Sequence, residues 1–266
     1  MTIAALFPHG ISELFQWKSI AFGDTFYEIN KTAIMALVST VICILVFFGG
    51  ARKKALVPTG LQNFAEFGYE AIEEQIAVPV IGDHPHGYGK SWAPFLTGTF
   101  FFIFFINIWS TVPFVQFPAT SRIAIPMLLS LITWVIFIAV GFKHQGPLYV
   151  FKACLPPGVP KPLYLLVFPI ELVSKFLVRP FSLTVRLFAN MVAGHVLLAV
   201  FALMTHELAT SIDNDKWHAY QAIIAPLPFL MLIFMTVFEL LVAVLQAYIF
   251  TTLTAVFIGE SASDEH

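Results

Sequence analysis

Charge is what this sequence has least of. Only 11% of its 266 residues are Asp, Glu, Lys or Arg, against roughly 25% in soluble domains. Set beside 58% hydrophobic residues and 29 phenylalanines, that deficit excludes a soluble globular domain and places the chain in a membrane. Cysteine is scarce too. Cys43 and Cys154 stand apart with no metal-ligand spacing, which excludes a disulfide framework and a zinc site. Residues 1–30 show no basic start followed by a short apolar run, so no cleavable signal peptide is expected. The net charge of −2 decides little, because in a membrane the position of charge outweighs its sum.

What is there is apolar, in runs long enough to span. A membrane helix needs about 20 such residues. Runs of that kind cover 32–50, 94–113 and 123–142, and two longer ones follow over 162–204 and 217–258. The expected fold is an all-α membrane protein with about five membrane helices in a single domain over 1–266. Within it, 1–31 is an outer N-terminal segment, 32–50 the first span, 94–142 a two-span hairpin and 163–258 a helical hairpin. Over 57–80, Leu61, Phe64, Phe67 and Ala71 recur at helical spacing opposite Glu66, Glu70, Glu73 and Glu74, which predicts an amphipathic helix on the membrane surface. The run Phe100–Phe105 is expected to face lipid. Trp92, Trp109 and Trp217 fall near span ends, as interfacial aromatics should; Trp134 does not. Arg52–Lys54 and the lysines Lys143, Lys152 and Lys161 define the inner side by the positive-inside rule. The N-terminus is then outside, the acidic connector with Glu207, Asp213 and Asp215 outside, and the C-terminus inside. The last two helices are too long for a bilayer. From Pro169 to Thr205 a helix runs about 55 Å against a hydrocarbon core of about 30 Å, so it must tilt steeply or kink. Pro180 is the natural kink site.

Inside this greasy hairpin stand a few polar residues. Arg186 has long apolar flanks on both sides, so snorkelling to an interface does not explain it. An arginine at the bilayer centre costs at least about 2.5 kcal/mol and ordinarily faces a protein partner or an aqueous cavity. Asn190, four residues on, shares its face, and Ala189, Ala193 and Gly194 are small enough to let another helix approach. His195 points about half a turn away. On the last helix Glu239 and Gln246, seven apart, share a face. Folding the two helices antiparallel sets Arg186 against Gln246 and His195 against Glu239 in nearly the same register, with the turn near residue 216. A histidine beside a carboxylate can take and release protons near neutral pH. Arg186 cannot be deprotonated; it is a fixed positive field that favours the ionised form of any carboxylate brought beside it.

These residues carry a resemblance. "RPFSLTVRLFANMVAGH" (Arg179–His195) followed by "LQAYIFTTLTAVFI" (Leu245–Ile258), with fainter support from "VPTGLQNFAEF" and "FPIELVSKF", resembles subunit a of the F-type ATP synthase, in wording closest to actinobacterial versions. The resemblance implies a stator that forms no bond and holds no cofactor. It implies a ring of c subunits, each with one mid-membrane carboxylate, turning against the hairpin between two offset half-channels, and b-type peripheral-stalk subunits, membrane lipid and protons as further partners, without nucleic acid. On this likeness Arg186 separates the half-channels, Asn190 and Gln246 are its polar neighbours, Ala189, Ala193 and Gly194 line the ring interface, and His195 with Glu239 lines the outer path. Some relatives carry these two residue types in the reverse order. Glu171 matches a glutamate of the inner path but stands fifteen residues before Arg186, one more than in some relatives. The implied location is the bacterial plasma membrane, with the mitochondrial inner membrane as the alternative.

Other signals are weaker. Glu171, Lys175 and Arg179 recur at four-residue spacing. An intrahelical ion pair and proton exchange both fit Glu171, and lipid head groups fit the two cations. "GDHPHGYG" (Gly82–Gly89) reads as a polar turn rather than a metal site. A proton-coupled secondary transporter is the alternative function, though the internal repeats usual in such proteins are missing. An intramembrane hydrolase would need a metal or Ser/His motif that the spans lack.

Overall fold

The computed structural model describes residues 31–52, 60–82, 88–112, 119–147, 149–154, 163–212 and 226–262. The N-terminal segment, Lys53 and Lys54, the His84–His86 stretch, Lys161, Trp217 and the hairpin turn near 216 lie outside them. The described residues form helices only: α1 (Lys31–Arg52), α2 (Leu61–Ile72), α3 (Val78–Ile81), α4 (Tyr88–Ile108), α5 (Ala124–Gln145), α6 (Tyr149–Ala153), α7 (Tyr164–Val173), α8 (Arg179–Ile212) and α9 (Pro226–Ala262). Single π-helical stretches join α2 to α3 (Glu73–Ala77) and α7 to α8 (Ser174–Val178), and a short 3-10 turn covers Ala119–Ser121. Five helical stretches are long and apolar enough to cross a membrane, the fourth running from Tyr164 to Leu208 through α7 and α8. This is an all-α membrane protein.

The surface helix begins as its periodicity predicts and then departs from it. In α2 the small face, Ala65 and Gly68, is turned to the protein while Leu61, Phe64 and Phe67 remain exposed. Further on, Ile76, Ala77 and Ile81 are sunk in a core with Leu96 of α4 and Ala255 and Ile258 of α9. The segment is therefore half surface helix and half bundle element, because its acidic residues stop at Glu74 and the stretch from Ile76 to Ile81 is apolar throughout. The phenylalanine run also departs from expectation. Phe101 is buried and packs edge-on against Phe47 and Phe64, with its ring in the space a side chain at Gly68 would fill. A run of one residue type has no periodic contrast from which its inward member could be read. The second span starts at Tyr88, six residues before Pro94, which is carried inside the helix. Trp109 donates its indole N–H to Ser39 Oγ at 2.8 Å, tying α4 to α1.

The interruption of the helical ladder before Arg186 has a local cause. Pro180 has no N–H, so the carbonyl of Phe176 loses the partner an unbroken α-helix would give it. The indole N–H of Trp134, from α5, donates to that carbonyl at 2.8 Å. This is what the one tryptophan away from a span end does. Ser130, one turn earlier on α5, and Thr184 on α8 both donate to the carbonyl of Pro180. Between Glu171 and Arg186 lies the π turn, which inserts an extra residue into a helical turn. Trp134→Phe is expected to orphan the Phe176 carbonyl and destabilise the fold by about 1–3 kcal/mol. Thermal unfolding of the purified protein checks this: an unchanged midpoint would mean the interrupted helix holds without that bond.

Candidate functional site

Two faces of α8 lie in two different environments. Leu183, Leu187, Met191 and His195 recur every fourth residue and are buried, His195 at 9% exposure. Arg186 stands on the opposite face, half-buried, with Ala189, Asn190 and Ala193 exposed beside it. No carboxylate among the described residues pairs with Arg186. The cation is thus presented outward on a strip of small and polar residues, and the imidazole is turned into the bundle.

On α9 the buried face carries Glu239 (3% exposed), Ala243, Gln246 (4%) and Ala247. Between α8 and α9 lies a cavity of about 290 Å³, bounded by Asn190, Ala193 and Gly194 on one side and Glu239 and Gln246 on the other. Five of the predicted site residues therefore meet in one hollow. The register is the expected one to within a residue: a side chain at Gly194 would sit 3.0 Å from Glu239 Oε1, where His195 was expected. Glycine is what lets the carboxylate lie against the α8 backbone. The direct His195–Glu239 hydrogen bond is not formed, since both Glu239 oxygens are buried without a hydrogen-bond partner. The small residue at 194 takes the facing position and turns His195 past it. Arg186 does not line the cavity; it stands one turn from Asn190.

Several residues at this site were not singled out by the sequence. Ser110, just past α4, lies within electrostatic reach of Glu239, although its hydroxyl donates to the Asn107 carbonyl at 2.9 Å. Asn107 Oδ1 accepts from Thr120 Oγ1 at 2.7 Å. Asn107 and Thr120 are fully buried, and Asn107 Nδ2 and Ser121 Oγ have no protein partner. Glu239 thus stands at the edge of a buried polar cluster built from α4 and the 3-10 turn. A lone Asn inside a phenylalanine-rich span was the available signal. Buried polar atoms without protein partners are normally satisfied by water, so this cluster is chemically suited to a hydrated path.

At the other end of the hairpin Glu171 pairs with Lys175 at 3.4 Å, and Lys175 also donates to the Ala153 carbonyl at 2.6 Å. Arg179 binds Glu260 of α9 at 2.6 Å with its guanidinium over the Phe257 ring. Both cations are therefore engaged within the protein rather than extended to head groups. No group of three or more metal-ligating side chains occurs among the described residues.

Comparison with known proteins agrees over most of the chain. The family model for the ATP synthase A chain matches residues 32–259. ATP synthase subunit a of Parafrankia sp. (strain EAN1pec) is 41% identical over 249 residues, covering 93% of this chain and 80% of that protein. The subunit a of Frankia alni is 38% identical over 260 residues, covering 96% and 86%. That of Streptomyces lividans is 37% identical over 246 residues, covering 91% and 83%.

Proposed function

Because the chain belongs to the ATP synthase A chain family, and so to the membrane sector of an F-type ATP synthase in a bacterial membrane, we propose that it is the stator against which a ring of c subunits turns, with Arg186 as the fixed charge between two offset half-channels. One observation carries this reading. A permanent cation stands on an open, small-residue face with no carboxylate among the described residues to meet it, while a buried carboxylate lies behind, on the other side of the same helix. A mid-membrane cation of that kind requires a partner, and a passing ring carboxylate supplies one.

The steps follow from the residues. A proton enters from outside along Asn107, Ser110 and Glu239, with His195 as the second exchanging group. It reaches the cavity that Asn190 and Gln246 share with Glu239 and neutralises a ring carboxylate. The neutral site can then turn into lipid, which a carboxylate does only at large cost. On return it gives up its proton on the inner side, with Glu171 in that path. Arg186 keeps the incoming site ionised and stops a protonated one from passing directly between the channels. With Arg52 and Lys143 on the cytoplasmic side, the N-terminus is outside and the C-terminus inside, and b-type stalk subunits hold the chain against the ring's torque.

Disulfide trapping tests the interface. Asn190→Cys in the whole ATP synthase, combined with single cysteines along the carboxylate-bearing helix of the ring subunit, is expected to cross-link to the ring. Cross-linking only to another subunit, or none in an assembled complex, would remove the proposed face.

A further inference from the structure

A second hollow lies away from the α8–α9 cavity. It opens between the first turns of α4 and the last turns of α5, encloses about 730 Å³, and has Tyr88, Ser91 and Trp92 on one wall and Lys143 on the other. A narrower groove of about 290 Å³ continues from it between the same two helices. Pro94 and Phe95 line both, and Phe250 of α9 borders the deeper part. The two form one trough with unlike ends.

The shallow end is cationic and the deep end apolar. No carboxylate lines the trough, and Lys143 has no ion-pair partner among the described residues. Its neighbours do not neutralise it: His144 packs edge-on against the Tyr88 ring at 5.0 Å, and Lys90, the other cation at this end of α4, is held by Glu73 at 3.6 Å. Along the deep end the polar groups are already used. Thr99 Oγ1 donates to the Phe95 carbonyl at 2.9 Å, and Thr133 meets Thr254 at 3.5 Å. The trough is open at Gly98, where a Cβ would touch nothing within 4 Å. Chemistry decides what fits. The deep part follows α4 from Pro94 to Phe102, about 12 Å of rise, and its walls are apolar apart from threonines already engaged, which suits an acyl chain, while the cation at the shallow end suits an anionic head group.

We propose that this trough binds one anionic phospholipid, its phosphate at Lys143 with Tyr88 and Ser91 beside it, and an acyl chain running past Gly98 towards α9. Tyr88 and Trp92, in edge-to-face contact at 6.3 Å, form the interfacial wall that such rings favour. The inference stands apart from the proton path. It needs only the membrane.

Photolabelling of the whole ATP synthase in vesicles tests it, using phosphatidylglycerol or phosphatidylcholine with a diazirine in mid-chain and mapping the labelled peptides. The anionic probe is expected to label 94–102 and 129–133 about fivefold more than the neutral one, the ratio one cation beside a head group supplies. Lys143→Gln should bring that ratio to one. Gly98→Leu should suppress both probes there while labelling elsewhere on the complex is unchanged. Equal labelling of the wild type by both probes overturns the proposal, as does a preference that survives Lys143→Gln. Absence of lipid label from the trough in the intact complex would mean that a neighbouring subunit fills it, and also overturns it.

Discussion

Replacing Arg186 with alanine is expected to abolish proton-driven ATP synthesis while the complex still assembles. The side chain is half-buried on an open face and no carboxylate of the described chain depends on it, so its removal leaves no buried charge behind. On the proposed mechanism, what is lost is the barrier between the half-channels. A protonated ring site could then pass directly from one to the other, and the proton would cross without turning the ring. Each charge moved through 100 mV carries about 2.3 kcal/mol, a bias of about fiftyfold, and the short circuit dissipates it. Synthesis in inverted vesicles should fall below about one-fiftieth of wild type, and passive proton leak should rise. Wild-type coupling in Arg186→Ala would remove the central role given to this residue.

The second large effect concerns the groups behind it. His195→Glu places a second carboxylate near Glu239, and like charges in one buried site cannot both ionise cheaply. Glu239→His removes the only carboxylate lining that cavity among the described residues. Each change alone should lower proton-driven synthesis by about 100-fold or more, the lower bound for a lost acid–base group. The exchange of both, His195→Glu with Glu239→His, restores one acid and one imidazole, and should recover about tenfold over the better single variant, about 1.4 kcal/mol, where independent effects would have added to a deeper loss than either single. A double variant no better than either single would show that the two do not act as a unit. The measurement matters because the two side chains share a neighbourhood through Gly194 without a hydrogen bond to Glu239.

The helical repeat made much of this legible. Arg186 and His195, nine residues apart, had to face opposite ways, and the buried line Leu183, Leu187, Met191, His195 bears that out. The antiparallel register followed from matching polar residues across the hairpin, and Gly194 against Glu239 agrees with it to one position. What escaped the sequence has physical reasons. Asn107, Ser110 and Thr120 join the site through tertiary contact between α4 and a turn, and no periodicity links them to Glu239. Pro180 announced a bend, but the π turn preceding it contains neither Gly nor Pro, and its partner on α5 lies 42 residues away. The inward turn of Phe101 depends on the absence of a side chain at Gly68, a complementarity between distant positions.

The bond from Trp134 to the Phe176 carbonyl, with Ser130 beside it on Pro180, has a mechanical meaning. A long inclined helix pushed from one side yields first where its own ladder is interrupted, and in this chain that place lies two turns from Arg186. There the weakest point of the rod is riveted to its neighbour α5. A sideways force applied at the cation is handed to the two-span hairpin before it can flex the joint. On the proposed stator role, the stiffness of that joint, and through it the share of each proton's work that would reach a rotor, rests in part on a tryptophan that lies outside the α8–α9 cavity.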